Sequence, residues 1–185
     1  DDVIFLDREP PFEVVDALER WLAIQEDDVV PDQELDAVQV LDLGVNDEGV
    51  AYLVMELLRG RALDQVLDER HRLTPRQSTE ILEPVCRALA AAHAVDVVHR
   101  AIKPSNIFLH GPEETPKILD FGIAKERGTS VLAPERMELT GEGTLVGTIP
   151  YLSPEQILGH EVDESSDFWA LGCLLFEALT GRTPF

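Results

Sequence analysis

HRAIKPSN, residues His99 to Asn106, sets a His-Arg pair, then Ala101, then Lys103 and Asn106 in close succession. A polar stretch of this kind would more naturally carry an ionisable group at position 101. It reads as the wall of a site that either does chemistry or has lost the means, and its surroundings decide between the two.

Upstream, LTPRQSTEILEPVCRALAAAHAVD (73–96) has a helix-start signal, with Thr74 as cap and Pro75 at the first helical position. Ile81, Val85, Leu89 and Ala92 follow at three-to-four spacing. Farther back, AVQVLDLGV (37–45) and VAYLVMELL (50–58) are strand candidates around the turn NDEG, with Gly60 breaking the second and a short helix at 62–70. PFEVVDALERWLAI (11–24) has a helical pattern, and 25–36 is an acidic connector. Downstream, VVH, NIFLH and PKILDF are short extended pieces, and the glycine-punctuated stretch 123–150 reads as a long loop. SPEQILG starts a short helix at Ser153, with Glu155 in its first turn. SSDFWALGCLLFEALTG (165–181) is a mostly apolar helix that should be centrally buried, with Trp169 and Phe176 in the core.

The 185 residues suit one globular domain. The charge is −21 and uneven: residues 1–70 hold 20 acids and 5 bases, the remainder 16 and 10. Such a surface repels nucleic acid and anionic lipid; solubility is the plain explanation for it and a basic partner protein the sharper one. No apolar run is long enough to cross a bilayer, and no signal-peptide pattern opens the chain. Cys86 and Cys173 sit in apolar helical patterns and read as small buried hydrophobes, which fits a reducing cytoplasm. His71, His93, His110 and His160 have no metal-ligand spacing.

Three groups stand in order: HRAIKPSN, then Asp120-Phe121-Gly122 beginning 14 residues after Asn106, then Gly147-Thr148 and Ser153-Pro154-Glu155. This set resembles the protein kinase family, in particular bacterial serine/threonine kinases, from about Leu41 to Phe185. The resemblance implies an α+β, two-lobe kinase-like fold. The small lobe would be reduced (1–58, including the start of the hinge), and the large lobe (59–185) would stop after its central helix. It implies ATP and Mg²⁺ as cofactors and a protein substrate, or another kinase, as partner. A second copy of the chain is a further candidate partner. Met55 would be the gatekeeper and Glu56-Leu57-Leu58 the adenine-facing hinge. Asp120 and Asn106 would hold magnesium, and Lys103 would neutralise the transferred phosphoryl. His99 would pack and hydrogen-bond near Phe121 and Gly122. Arg100 would pair with a phosphorylated residue of the following loop, for which Thr140 and Thr144 are candidates ahead of Thr129 and Ser130. Thr148 would line the substrate pocket, and Asp167 would brace the catalytic-loop backbone.

Three departures from the family pattern bear on activity. Ala101 occupies the position of the aspartate that accepts the substrate hydroxyl proton, a loss of about 10²–10⁴-fold in a typical enzyme. The three lysines, Lys103, Lys117 and Lys125, all follow the hinge, and no glycine precedes Gly44, so the phosphate-gripping lysine and glycine-rich loop have no candidates. In the family the arginine partner of the Glu155 position comes from helices past the GRTPF-like segment, where this sequence stops, so Glu155 has no visible partner, and truncation accounts most simply for that. The expectation is a catalytically impaired, pseudokinase-like domain that works by binding. An active serine/threonine kinase seen as a fragment or base-knockout variant, and an acidic interaction module without nucleotide, are the alternatives.

Overall fold

The computed structural model describes residues 3–6, 36–45, 51–119 and 149–185. The helix expected at 11–24, nearly all of the acidic connector, the NDEG turn and the segment 120–148 lie outside the described residues.

Strands β2 (Val40–Val45) and β3 (Ala51–Met55) form the expected antiparallel hairpin, with Val45 opposite Ala51 and Leu43 opposite Leu53. Strand β1 (Val3–Leu6) adds to the other edge of β3. The sequence reading has no strand there, because four apolar residues show no alternation and the pairing partner lies far along the chain. Nor does β2 begin at residue 37. A register shift between Val40 and Asp42 marks a bulge, and the chain before it lies along a different sheet.

That second sheet runs β4 (Gly60–Ala62), β5 (Ile107–His110) and β6 (Thr115–Ile118), all antiparallel. Ala37 bridges Ile118 in parallel, Val38 N–H donates to the Ile118 carbonyl at 2.9 Å, and Ile118 N–H donates to the Asp36 carbonyl at 3.1 Å. Arg87 closes the junction on Asp36 at 3.0 Å. Residues 36–39 therefore tie the two sheets together. Gly60 opens β4 instead of ending β3, which stops at Met55. A Cβ at Gly60 would stand 1.9 Å from the Leu109 carbonyl oxygen, so only glycine admits this strand pairing.

Helix α1 (Leu63–Arg70) buries Leu63, Val66 and Leu67. Helix α2 (Pro75–His93) starts at Thr74 in a capping box with Gln77 and has Pro75 at its start. Its buried stripe contains Ile81, Val85, Leu89 and Ala92 as expected, together with Ser78, Leu82 and Ala88. Cys86, by contrast, is exposed, because one step beyond Val85 rotates it about 100° off that stripe. Helices α3 (Pro154–Leu158) and α4 (Glu164–Thr180) complete the described elements.

Central burial of α4 does not hold among the described residues. One face buries Ala170, Leu171, Cys173, Leu174 and Ala178 against α2 and the turn Ile149–Tyr151. Phe168, Trp169, Leu175, Phe176 and Leu179 remain 37–58% exposed. Apolar composition on every side permits burial, but only neighbours on that side produce it. The core centres on Leu63, Val66, Val85, Leu89, Ile107, Leu109, Ile118 and Leu174, none more than 1% exposed.

Candidate active site

The loop between α2 and β5 carries HRAIKPSN and is held from three directions. Ile102, 2% exposed, anchors it in the core. Pro104–Asn106 closes it as a single 3₁₀ turn, with Asn106 N–H donating to the Lys103 carbonyl at 3.0 Å.

Asp167, in the first turn of α4 and 1% exposed, is the central acceptor. Its Oδ2 accepts the His99 backbone N–H at 2.9 Å and lies 2.8 Å from His93 Nε2, while its Oδ1 accepts the Arg100 N–H at 2.8 Å. A buried carboxylate is tolerated because every one of these contacts offers a proton to it. Arg100 adopts φ +63°, a left-handed conformation that strains a residue with a Cβ. Hydrogen bonds at both ends of the residue hold that geometry, because Gln156 Nε2 donates to its carbonyl at 2.8 Å.

His99 is fully buried. Its Nδ1 accepts Ala101 N–H at 3.2 Å, which assigns the proton to Nε2, and Nε2 then donates to the Leu119 carbonyl at 2.9 Å. Asn106 Nδ2 donates to the Ala101 carbonyl at 2.8 Å, and the Leu119 N–H donates to the Asn106 carbonyl at 2.8 Å. Leu119 is thus stapled through both its N–H and its carbonyl to the loop. Ala101 is held in the same way, by His99 at its N–H and by Asn106 at its carbonyl. Its backbone is fixed, and its side chain is a methyl group. With Nδ2 engaged, Asn106 Oδ1 is the atom of that amide with the chemistry to ligate a hard cation. Lys103 is half-buried in extended backbone one residue before the turn.

Met55, at the end of β3, is half-buried and packs on the core. Glu56 follows and makes two bonds to residue 39: its N–H donates to the Gln39 carbonyl at 3.0 Å, and its side-chain Oε1 accepts Gln39 N–H at 2.9 Å. Lys117 Nζ reaches the same Oε1 at 2.5 Å, an ion pair only 12% and 23% exposed at its two side chains. Leu57 is exposed and Leu58 half-buried.

Glu155 has a partner after all. The Ser166 hydroxyl donates to its Oε1. Burial pushes the Glu155 carboxyl up, but the bonds from Ser166, its own N–H and Ser153 outweigh it, and the group sits below the usual glutamate value. Ser153, Ser166 and Gln156, all 6% exposed or less, form one buried polar cluster behind the loop. Ser153 Oγ donates to Ser166 Oγ at 2.9 Å, and Gln156 Oε1 accepts Ser153 N–H at 3.1 Å.

The structure therefore brings His99, Arg100, Ala101, Lys103, Asn106 and Asp167 into one loop-and-brace unit, with Glu155 behind it. Met55 and Glu56 join it through Lys117 and β6. Asp120, Phe121, Gly122, Thr140, Thr144 and Thr148 lie outside the described residues. Sequence reasoning missed His93, Lys117, Gln156 and Ser166. Only Gln156 carried a local signal, as the third residue after the Ser153 cap in a capping box.

Comparison with known proteins agrees with this geometry. The protein kinase domain model matches residues 34–185. The chain is 40% identical over 151 residues to the probable serine/threonine-protein kinase PknB of Corynebacterium glutamicum, covering 80% of this chain and 22% of that protein. It is 44% identical over 142 residues to the serine/threonine-protein kinase PknA of Mycobacterium tuberculosis, covering 76% and 31%. With serine/threonine-protein kinase pkn3 of Myxococcus xanthus the identity is 37% over 152 residues, 80% and 27%. The chain thus spans about a fifth to a third of the length of these curated relatives. A loop braced by a buried helix-start carboxylate, inside a match covering most of the sequence, means that this chain belongs to the protein kinase domain family.

Proposed function

We propose that this chain is a serine/threonine kinase-type domain impaired in phosphoryl transfer, acting in signalling by binding a protein partner. The observation that carries the reading is Ala101. The backbone on either side of its Cα is hydrogen-bonded into the loop, yet the methyl group can accept no proton. Nothing in the described loop substitutes for it: Asp167 is committed to three donors and Asn106 Nδ2 to the Ala101 carbonyl.

We assign residues 1–58 to the small lobe and 59–185 to the large one. ATP with Mg²⁺ fits the donor chemistry present. Asn106 would hold the cation with Asp120, Lys103 would meet the phosphates, and the backbone of Glu56 to Leu58 beside Met55 would meet the adenine. When bound, the cation would neutralise phosphate charge. Among the described residues no cluster of three or more His, Cys, Asp or Glu side chains could bind a metal without such help. Arg100 is assigned to a phosphorylated Thr140 or Thr144, and Thr148 to the substrate pocket. No described helix is long and apolar enough to cross a membrane, and Cys86 and Cys173 are both unpaired thiols, which supports a cytoplasmic setting.

A γ-phosphate transfer assay on this chain beside Ala101→Asp tests the reading. The native chain should transfer phosphate at least about 10²-fold more slowly than the substituted one. Equal, substantial transfer by both would refute impairment and favour an active kinase. If neither is active, the missing small-lobe groups are the dominant defect. Thermal-shift titration separates the nucleotide question, since no shift at millimolar ATP-magnesium would sink nucleotide binding.

A further inference from the structure

We propose that Gln156 is a positioning residue for the loop, holding the strained Arg100 peptide in place so that Ala101, Lys103 and Asn106 keep their arrangement. Arg100 sits at φ +63°, a conformation it would leave if its backbone bonds were lost. Its N–H is taken by Asp167 Oδ1 at 2.8 Å and its carbonyl by Gln156 Nε2 at 2.8 Å. These two bonds come from different helices, α4 and α3, and pull on opposite ends of one residue.

The chemistry of position 156 is specific to an amide. Gln156 is 6% exposed, and its Oε1 already accepts the Ser153 N–H at 3.1 Å. That fixes the amide's orientation and turns the NH₂ end toward the Arg100 carbonyl. A glutamate would keep the acceptor side and lose the donor, setting carboxylate against carbonyl. A methionine would keep the volume and lose both. The Ser153 pairing alone would satisfy the helix start, so the additional bond to Arg100 is what gives Gln156 a role beyond capping.

The consequence reaches the ligand groups because the same peptide unit continues into Ala101. The carbonyl of Ala101 is the acceptor that orients the Asn106 amide at 2.8 Å, and the Asn106 carbonyl in turn takes Leu119 N–H at 2.8 Å. Releasing Arg100 therefore loosens the Asn106 side chain, whose oxygen is the proposed cation ligand. This last step rests on the nucleotide-binding reading above; the loop-positioning step does not.

Amide hydrogen exchange on Gln156→Glu, with Gln156→Met as the second variant, tests the proposal on the full 185-residue chain. Exchange at Arg100 and Ala101 should rise about tenfold, as loss of one hydrogen bond to a buried group implies, while Val85 and Leu89 in α2 stay protected. Titration with ADP, with and without magnesium, is the second readout. The magnesium-dependent gain in affinity should shrink about tenfold while affinity without magnesium is unchanged, a split that general destabilisation would not produce. Unchanged exchange at Arg100 and Ala101 in both variants overturns the proposal, as does loss of α2 protection in both, since a positioning contact does not carry the whole fold. If the native chain binds no ADP, the nucleotide reading fails while the exchange data still decide this one.

Discussion

Asp167 shows how one buried side chain can organise a site. It accepts two backbone N–H groups and faces His93 Nε2, all within 2.9 Å, at 1% exposure. Asp167→Asn replaces one carboxylate oxygen by an NH₂ that opposes a donor, and should cost about 2–4 kcal/mol in urea unfolding. A cost below about 1 kcal/mol would mean that the loop finds other acceptors. Ser78 offers the opposite case. Its hydroxyl is buried in α2 with no hydrogen-bond partner among the described residues. Ser78→Ala removes an unsatisfied polar atom and improves helix propensity, so the unfolding midpoint should rise by about 1 kcal/mol in equivalent stability. At this scale the sequence conveyed residue types and spacing. Asp167 could be named from the family resemblance, but His93 could not be joined to it across 74 positions without the fold.

Elements are set by their ends as much as by their faces. Thr74 and Ser153 start helices that the sequence marked, because cap, proline and glutamine act over four residues. Helix α4 ends at Gly181 with φ +76°, where a Cβ would lie 2.4 Å from the His71 carbonyl oxygen. Gly181→Ala should therefore destabilise by about 2–3 kcal/mol, combining left-handed strain with a backbone clash. Gly172, in the same helix, meets nothing within 4 Å at its Cβ position. Gly172→Ala should stabilise by about 0.5–1 kcal/mol through helix propensity. Chemical denaturation of the pair checks both signs at once, and matching signs would sink the account. Cys86 and Cys173 look alike in the sequence. What separates them is which neighbour, if any, stands opposite.

For the whole molecule, acid stability follows from carboxylates tied into the fold. The Arg61 guanidinium hydrogen-bonds Glu114 and holds its carboxyl below the usual 4.5, and Glu155 is lowered by Ser166 despite its burial. Groups with depressed folded values stabilise above their unfolded pKa and lose that contribution as pH falls through the folded value. Stability should therefore hold or rise from pH 7 toward 4.5, as the net charge of −21 is partly neutralised, and then fall below it. Urea midpoints at pH 6, 4.5 and 3.5 measure this; a continued rise to pH 3.5 would show that these carboxylate bonds contribute nothing. The sequence by itself determined the family, the hairpin, the caps of α2 and α3, and the alanine at position 101 of the loop, since each is written in local spacing or ordered motifs. Only the tertiary structure decided that residues 36–39 cross from one sheet to the other, and that Lys117 pairs with Glu56. Tertiary packing likewise gave Glu155 its partner in Ser166, left one face of α4 exposed, and brought Gln156 to Arg100. Those outcomes depend on contacts between residues far apart in the chain, which local periodicity and propensity do not encode.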